Sequence, residues 1–418
     1  MEVKQTLVEK IIAKHAGVAE VHPGQIVDVT VDRLLVNDMN APTVFRSFEE
    51  LGVSEVACPD RVLVGIDHQV PPVDVKAANN LVRDREFCNK YKLPLFTEIG
   101  RHGVGHQVMV ENFTRPDEIA VGTDSHATTY GGLGCLGAGC NSSDAAVIMA
   151  TGKMWMKVPE TILVELKGRP RKGVSCKDIA LAVNTLGSLV DFNYKMVEFR
   201  GDYAHEMSVS SRLTICNETC ETGAKGGIFP ADQIVANYVG DTKAFYMDSD
   251  PDAEYCARYV IDLETLEPSL ACPHEVNNVH PVHEVKGKKI NQAFLGSCTN
   301  GRIQDFEEAA EILRGRKIHP DVRLLVVPAS QKIYRHLINS GLAEVFMEAG
   351  AALLGPSCAS CGGQGEGCIG YGEVCISTTN RNWKGRMGDP TSEVYLASPY
   401  IVAASAIEGV ITDPRKYL

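Results

Sequence analysis

The stretch INQAFLGSCTNGRIQDFEEAAEILRGRKIHPDVRLLVVP, residues 290–328, alternates apolar runs with a helical pattern. INQAFLG and VRLLVVP are short and mostly apolar, which is typical of strands buried on both faces of a sheet. DFEEAAEILRGR lies between them and has the apolar spacing of an amphipathic helix. The order strand, helix, strand predicts a parallel sheet that is covered by helices.

The same alternation extends along the chain in both directions. Downstream, QKIYRHLINSGLAEVFMEAG indicates one helix and AALLG a further strand. Upstream, buried strands are predicted at IVDVTVD near residue 26, at RVLVGID (61–67) and at EIAVGTDSH (118–126). A glycine-rich turn and a helix in NSSDAAVIMATGKMWM follow the last of these. We therefore expect an α/β protein made of three α/β/α domains with mostly parallel sheets.

Two segments rich in turn-forming or polar residues divide the chain. KVPETILVELKGRPRKGVS is rich in Pro, Gly and Lys, and CPHEVNNVHPVHEVKGKK is a second predicted linker. The expected domains are residues 1–156, 157–284 and 285–418. The length of 418 residues agrees with several domains, because a single hydrophobic core stops growing well below that size.

Composition restricts the partners of the chain. Asp and Glu number 53 against 41 Lys and Arg, and this excess is spread without a basic block, so nucleic acid is not an expected partner. No apolar run reaches roughly 18 residues, so no membrane is expected either. The start MEVKQTLVEKIIAKHAG contains acidic residues, unlike a signal peptide, which predicts a cytoplasmic location. The 14 cysteines are therefore expected to be reduced thiols or metal ligands.

Four thiols lie among glycines in GPSCASCGGQGEGCIGYGEVC, residues 355–375. The C-x-x-C spacing of Cys358 and Cys361 lets two thiolates converge on one metal or on one face of a cluster. Spacing alone leaves open a zinc site closed by these two residues with Cys368 and Cys375. A thioredoxin-like redox pair is less favoured, because the motif does not open a helix after an amino-terminal strand.

A further thiol, Cys298, follows the predicted strand in FLGSCTNGR. A single cysteine is usually a small buried apolar residue. Here Ser297, Thr299 and Asn300 surround it with groups that can donate hydrogen bonds to sulfide or to a bound anion. Cys298 and Cys358 both fall beyond predicted strands, where α/β sheets bind their ligands.

Acid–base candidates also follow predicted strands. An aspartate beside a histidine raises the basicity of the imidazole and fixes its tautomer, as general acid–base catalysis requires. A lone histidine could equally belong to the core. The recurrence of Asp and His in three motifs favours catalysis, and the candidates are Asp67, His68, His106, Asp124, Ser125 and His126.

The motifs GTDSH, GSCTNGR, C-x-x-C and NRNWKGR, in this order, resemble the aconitase superfamily. Within it, the chain resembles the large subunits of the 3-isopropylmalate dehydratase and homoaconitase group, over essentially its whole length. The resemblance implies aconitase-like domains packed around a central 4Fe-4S cluster. It also implies a hydro-lyase that acts on a malate-type 2-hydroxy acid.

The resemblance assigns the cluster to three of the thiols, Cys298, Cys358 and Cys361. The fourth iron then has no protein ligand, and an iron with open coordination sites can act as a Lewis acid on substrate. The remaining thiols are interpreted as local packing, and they include Cys135, Cys140, Cys216, Cys220, Cys368 and Cys375.

The resemblance also assigns roles around the cluster. The Asp and His candidates line the site, where they protonate the leaving hydroxyl and hold the released water. In RLTICNETCETGAK, Asn217 and Glu221 match positions that face the iron, although ETCETG departs from the family's usual small residues. In NRNWKGR, Asn380, Arg381 and Arg386 are expected to bind substrate carboxylates through the guanidinium forks.

A partner subunit is expected, because the family's catalytic base is a serine on a separate swivelling domain that we do not find before the final ITDPRKYL. A small subunit should supply it. The favoured substrate is 3-isopropylmalate, an intermediate of leucine biosynthesis. Homoaconitase activity and a citramalate or 2,3-dimethylmalate dehydratase remain open, since residues 184–194 and ETCETG depart from the usual pattern.

Two hypotheses of other classes accompany this one. In the first, the protein is not a catalyst and the thiols of 358–375 close a structural zinc site. In the second, the cluster transfers electrons, which would require thiolate ligands on all four irons.

Overall fold

The computed structural model describes residues 4–241 and 245–418. The protein is α/β with mostly parallel sheets, as the sequence predicts. No helix in this part of the chain is long and apolar enough to cross a membrane.

Strands in the described residues form four sheets. They are β1 Ile26–Thr30, β2 Arg33–Asn37, β3 Val62–Gly65, β4 Leu95–Thr97, β5 Ile119–Gly122, β6 Leu136–Gly139, β7 Lys153–Lys157, β8 Thr161–Lys167, β9 Met196–Arg200, β10 Gly226–Ile228, β11 Ala257–Asp262, β12 Ser269–Ala271, β13 Val279–Pro281, β14 Gln292–Gly296, β15 Arg323–Val327, β16 Ala352–Leu353, β17 Val374–Ser377 and β18 Glu393–Ala397.

Helices connect most of these strands. They are α1 Leu7–Ala16, α2 Ala41–Glu50, α3 Val75–Lys90, α4 Gly105–Asn112, α5 Ser142–Thr151, α6 Cys176–Leu189, α7 Asp202–Glu206, α8 Val209–Thr219, α9 Gln233–Val239, α10 Val282–Val285, α11 Ile303–Leu313, α12 Gln331–Asn339, α13 Leu342–Ala349 and α14 Pro399–Glu408. Short 3-10 segments lie at Pro59–Arg61, Ser125–Leu133, Cys220–Thr222, Ala359–Gly362 and Pro414–Lys416.

The first sheet has five parallel strands in the order β4-β3-β2-β5-β6. Side chains alternate between its faces, as the pleat of a strand requires. Leu34 and Val36 enter a core with helices α1 and α2, whereas Leu35 enters a second core with α4. The strands are apolar on both faces because helices cover both.

The second sheet is parallel, in the order β10-β9-β8-β11. Along β8, Ile162, Val164 and Leu166 are buried with helix α6, while Glu165 and Lys167 are exposed. Helix α6 begins at a capping box in which the side chain of Ser175 caps the helix and Asp178 accepts from the Ser175 backbone. The cap directs this helix across the buried face of the sheet.

The third sheet has seven strands in the order β13-β12-β18-β17-β14-β15-β16. Its strands are parallel except that β12 pairs antiparallel with both β13 and β18. Two cores flank it, since Ala293 and Leu295 of β14 face one and Phe294 faces the other. The predicted repeat of residues 290–328 is therefore confirmed as the centre of this sheet.

Three local predictions were wrong. The strand at Ile26–Thr30 is half-exposed and pairs antiparallel with β7, and the neighbouring RLLVN forms the buried strand instead. The predicted single helix of residues 331–350 breaks at Gly341, which has φ +80°. The segment 272–289, interpreted as a linker, contributes β13 to the third sheet. That sheet therefore takes strands from both sides of the expected boundary at residue 284.

Glycines allow the 3-10 segment Ser125–Leu133 to touch the second sheet. A Cβ at Gly131 would lie 1.7 Å from the carbonyl oxygen of Gly227 on β10. One at Gly132 would lie 2.7 Å from the backbone nitrogen of Leu213 on α8. No real Cβ tolerates such distances, so the absence of side chains lets the two domains approach backbone to backbone.

An aspartate is buried without a partner in the first domain. Asp84 on α3 is fully buried, and neither carboxyl oxygen has a hydrogen-bond partner among the described residues. Burial, and then the negative charge of Asp38, raise the pKa of Asp84 to about 7. The folded protein therefore favours the protonated form of this carboxyl.

We expect Asp84→Leu to reduce the loss of stability as pH rises from about 4 to about 7. The unfolded carboxyl ionises near pH 4, so the folded state binds the extra proton and stability falls as pH rises to about 7. Between pH 5 and pH 8 the parent chain should lose about 3 kcal/mol more than the variant. Urea unfolding at the two pH values measures this difference. Glu86→Leu, an exposed change on the same helix, is the control, and equal pH dependence in all three proteins would contradict the prediction.

Candidate active site

The predicted site residues follow the carboxyl ends of strands from two sheets. Asp67 and His68 follow β3, Asp124 to His126 follow β5, Cys298 follows β14, Cys358 and Cys361 follow β16, and Asn380 and Arg381 follow β17. The backbone N–H of Cys358 donates to the carbonyl of Asp67 at 2.8 Å. The first and third sheets therefore meet with these loops face to face.

Three thiols are buried at this junction, those of Cys298, Cys358 and Cys361. The amide nitrogen of Asn217 donates to the sulfur of Cys298 at 3.3 Å, and that of Asn380 donates to the same sulfur at 3.4 Å. Cys361 donates to the amide oxygen of Asn380 at 3.6 Å. Two amides thus converge on one sulfur, which is how a protein stabilises a thiolate that binds metal.

The spacing of the thiols excludes a mononuclear site made of all three. Zinc holds thiolates at about 2.3 Å, so ligand sulfurs lie within about 4 Å of one another. Among the described residues, the three thiols do not form a group with all ligand atoms within 4.8 Å. Cys358 instead meets Asp67 and His68 within that distance.

The structure does not favour the hypothesis of a four-cysteine zinc site. Cys368 is exposed, and its thiol donates to the carbonyl of Gly365 at 3.4 Å. Cys375 lies on β17 inside the core, with its thiol toward the carbonyl of Ile376. In the part of the chain that the structure describes, neither belongs to any group of three possible metal ligands.

Asp124 is the centre of the acid–base residues. Its Oδ1 lies 3.0 Å from Nδ1 of His126 and 3.3 Å from Nε2 of His106, and its Oδ2 lies 4.0 Å from Nε2 of His68. Tyr130 contacts the other nitrogen of His106 at 3.1 Å. One carboxylate therefore lies within 4.0 Å of three imidazoles.

His68 is held by two carboxylates. Its Nδ1 lies 2.7 Å from Oδ1 of Asp67 and 3.4 Å from Oδ1 of Asp38. The backbone N–H of Gly105 donates to the other oxygen of Asp67 at 2.7 Å, so that carboxylate cannot rotate freely. This arrangement leaves Nε2 of His68 directed toward Asp124.

The buried ionisable groups of the site shift one another's pKa values. Burial lowers the pKa of His126, but the charge of Cys220 and hydrogen bonds to Asp124 and Glu221 raise it well above its usual range. Burial raises the pKa of Asp124, yet hydrogen bonds from His106 and His126 hold it well below the usual value. These shifts favour the imidazolium form of His126 beside an ionised Asp124.

Glu221 links this group to an arginine. Its Oε1 accepts from Nε2 of His126 at 2.9 Å and from Nε of Arg381 at 2.7 Å. The same guanidinium donates to Oγ of Ser125 at 2.7 Å and lies 4.6 Å from the ring of Trp383. Arg381 is held on three sides beside the acid–base residues.

Arg386 is the predicted residue with the weakest ties to the group. Its backbone carbonyl lies beside Gly363 in the cysteine loop, where a Cβ at Gly363 would meet it at 2.8 Å. Its Nε is buried and has no hydrogen-bond partner among the described residues. A buried donor without a partner is costly, so this nitrogen suits an anionic ligand.

Sequence analysis missed several contributors. Cys220, interpreted as packing, lies at the site, with its thiol 3.3 Å from Oε1 of Glu221 and beside His126. Asp38 went unnoticed, although it follows β2 directly and a strand end was the available signal. Tyr130 and Thr129 lie in a glycine-rich segment that carries no such signal, and Thr129 accepts from Asn217 at 2.7 Å.

Comparison with known proteins yields one family and full-length relatives. The model of the aconitase family (aconitate hydratase) matches residues 9–409. The 3-isopropylmalate dehydratase large subunit 1 of Methanopyrus kandleri is 44% identical, over 99% of this chain and 100% of that protein. The probable methanogen homoaconitase large subunit of Methanothermobacter thermautotrophicus is 42% identical, over 99% and 98%.

A solved structure shares the fold. The crystal structure of Thermococcus kodakaraensis aconitase X (holo-form) aligns with a TM-score of 0.50 at 11% identity, over 84% of each chain. At this identity the likeness supports the architecture alone.

We expect Asp124→Asn to lower the pKa of His126, because the imidazolium loses the charge of its acceptor. NMR titration of chains labelled with ¹³C-histidine measures it, and a His126→Asn chain identifies the signal among the 12 histidines. Asp321→Asn, an exposed change, is the control. An unchanged titration of His126 in the Asp124→Asn chain would show that Asp124 does not hold the proton.

Proposed function

The chain belongs to the aconitase family, and from this premise we propose that it is the large subunit of a hydro-lyase acting on 3-isopropylmalate. Relatives named 3-isopropylmalate dehydratase large subunit match it at 42–44% identity over 98–99% of its length. The observation that carries the proposal is the meeting of three buried thiols with the Asp124 imidazoles at one junction. The hypotheses of a structural zinc protein and of an electron carrier have no comparable support.

Family membership implies a 4Fe-4S cluster, and we assign it to Cys298, Cys358 and Cys361. These thiols are free of disulfides, and two amides donate to the sulfur of Cys298. The hydroxyl of Ser360, between Cys358 and Cys361, is buried and has no partner among the described residues, so it can donate to a cluster sulfide. When bound, the cluster supplies an iron without a thiolate ligand, which acts as a Lewis acid toward the substrate's hydroxyl and carboxylate.

Arginines bind the substrate in this proposal. A dicarboxylate in a water-poor site needs cationic partners, since an unpaired carboxylate there is strongly disfavoured. The unpartnered Nε of Arg386 supports one such contact, and the guanidinium of Arg381, beside Asn380, supports a second. Both lie on the loop that follows β17, so they approach the substrate from one side.

Proton transfer to the leaving group falls to the imidazoles. Burial lowers the pKa of His126, but its hydrogen bonds to Asp124 and Glu221 favour the protonated imidazole, which we assign to protonating the departing hydroxyl. His106 and His68 surround the same carboxylate and can hold the released water. Water then adds across the double bond, with the hydroxyl on the neighbouring carbon and the proton on the carbon that lost the hydroxyl, which completes the isomerisation.

A second polypeptide completes the catalyst. The carbon-bound proton needs a base, which we assign to a serine on the swivelling domain of a small subunit. The name "large subunit" in the relatives supports such a partner. The relative named as a probable homoaconitase, at 42% identity, makes its longer substrate the second candidate.

We expect serine substitutions to divide the cysteines into two classes. Cys298→Ser, Cys358→Ser and Cys361→Ser should each lose the brown colour and most of the iron of anaerobically reconstituted protein, because each removes one ligand. Cys368→Ser and Cys375→Ser are matched controls that should retain both. Iron and sulfide content with visible absorption measures the outcome. Cluster loss in either control would contradict the three-ligand assignment.

We expect the reconstituted chain alone to show no dehydration of 3-isopropylmalate, and full activity to require the small subunit encoded with it. Formation of the alkene, followed by ultraviolet absorbance, measures the reaction. Homocitrate, citramalate and 2,3-dimethylmalate are assayed in parallel, and a higher kcat/KM for one of them would reassign the substrate. Turnover by the single chain would contradict the need for a partner.

A further inference from the structure

Lys177 and Glu218 form an ion pair with no exposed side-chain surface, between helices α6 and α8. Besides Glu218, the ammonium of Lys177 donates to the carbonyl of Thr379 at 2.7 Å and to that of Thr378 at 3.5 Å. These acceptors match the three donors that a lysine carries. One side chain thus ties α6 to α8 and to the end of β17.

The carboxylate of Glu218 is held through its second oxygen as well. The amide nitrogen of Asn184 on α6 donates to this oxygen at 3.1 Å. Asn184 on α6 and Glu218 on α8 lie 34 positions apart along the chain. With Lys177 they form one buried network.

Stability alone does not account for this network. Removing two charges from water costs several kcal/mol per ion, and apolar side chains of similar volume often replace a buried pair without loss. Apolar side chains would not make directional contacts. The hydrogen bonds of Lys177 fix the carbonyls of Thr378 and Thr379 at set distances from Glu218. The geometry of the adjacent backbone is therefore the property to test.

Both ends of the network adjoin residues of the candidate site. Glu218 follows Asn217 directly, and Thr379 precedes Asn380 directly. The amides of Asn217 and Asn380 converge on the sulfur of Cys298 at 3.3 and 3.4 Å. Farther along the same two segments, Nε of Arg381 donates to Oε1 of Glu221 at 2.7 Å. The ion pair therefore links α8 to the loop after β17, and these two segments supply the residues that form both contacts.

We propose that Lys177 is a positioning residue that sets the approach of Asn380 and Arg381 to Asn217 and Glu221. It acts through the carbonyl of Thr379 and does not touch substrate, since its side chain is fully buried. The consequence for turnover rests on the proposed function. The positioning itself is a property of the chain and can be measured without cluster, substrate or partner.

Trp383 reports the position of Arg381, whose guanidinium lies 4.6 Å from the indole. The chain has two tryptophans, so Trp155→Phe leaves Trp383 as the single reporter. In this background, Lys177→Met should raise acrylamide quenching of Trp383 to the level given by Arg381→Gln. Arg212→Met is the matched control, because Arg212 is a buried cation on α8 that pairs with Asp232 and touches no site residue. It should leave quenching unchanged.

A double variant separates positioning from stability. Lys177→Met with Glu218→Leu removes both charges, so its urea unfolding midpoint should return toward that of the parent chain. Quenching should stay high, since the carbonyl of Thr379 still lacks its donor. This variant also covers the case in which Lys177→Met alone fails to fold. Parent-level quenching in the double variant would overturn the proposal.

In the complex with the small subunit, Lys177→Met with Glu218→Leu should lower kcat about 100-fold, as misplaced catalytic groups do, at unchanged iron content. Unchanged kcat would overturn the assigned role in turnover. If the parent complex lacks dehydratase activity, the proposed function fails, while the quenching experiment still decides the positioning. The two failures are therefore distinguishable.

Discussion

The hydrogen bond from the N–H of Cys358 to the carbonyl of Asp67, 2.8 Å long, joins the two halves of the candidate site. Asp67 belongs to the loop after β3 in the first sheet, and Cys358 to the loop after β16 in the third. Because parallel strands collect their carboxyl ends at one edge, a single backbone contact between these loops brings two sets of reactive side chains together. Thiols then arrive from one sheet and imidazoles from the other.

Burial of charge is the cost of this arrangement, and hydrogen bonds offset it. Asp124 has three imidazoles around it, and Glu221 accepts from both His126 and Arg381. Lys177 finds acceptors on α8 and on the β17 loop. A half-satisfied network of this kind would be worse than an apolar core, so its members must be present together. The atoms left unpartnered at the site, Nε of Arg386 and Oγ of Ser360, are the ones that a ligand would satisfy.

Much of the fold could be predicted because buried strands and helices have recognisable patterns of apolar residues in the sequence. Runs such as RVLVGID and VRLLVVP are mostly apolar, since helices cover both faces of their sheets. The predictions failed where a strand is only partly buried or where a single residue decides where a helix ends. IVDVTVD is half-exposed, Gly341 breaks a helix whose apolar pattern continues past it, and the polar segment 272–289 still pairs in a sheet. The apolar pattern of a segment shows how far that segment is buried, but not which strands or helices it packs against.

The sequence by itself determined which side chains follow strand ends, among them Asp67, Asp124, Cys298 and Cys358. Only the tertiary structure decided which thiols meet. It places Cys368 and Cys375 outside the metal-ligand group of Cys358, although their spacing had left a four-thiol site open, and it brings Cys220 to His126. Lys177 and Glu218 are likewise paired across 41 positions. The reason is physical: spacing along the chain fixes neighbours within one element, whereas the order of strands and the packing of helices fix neighbours between elements.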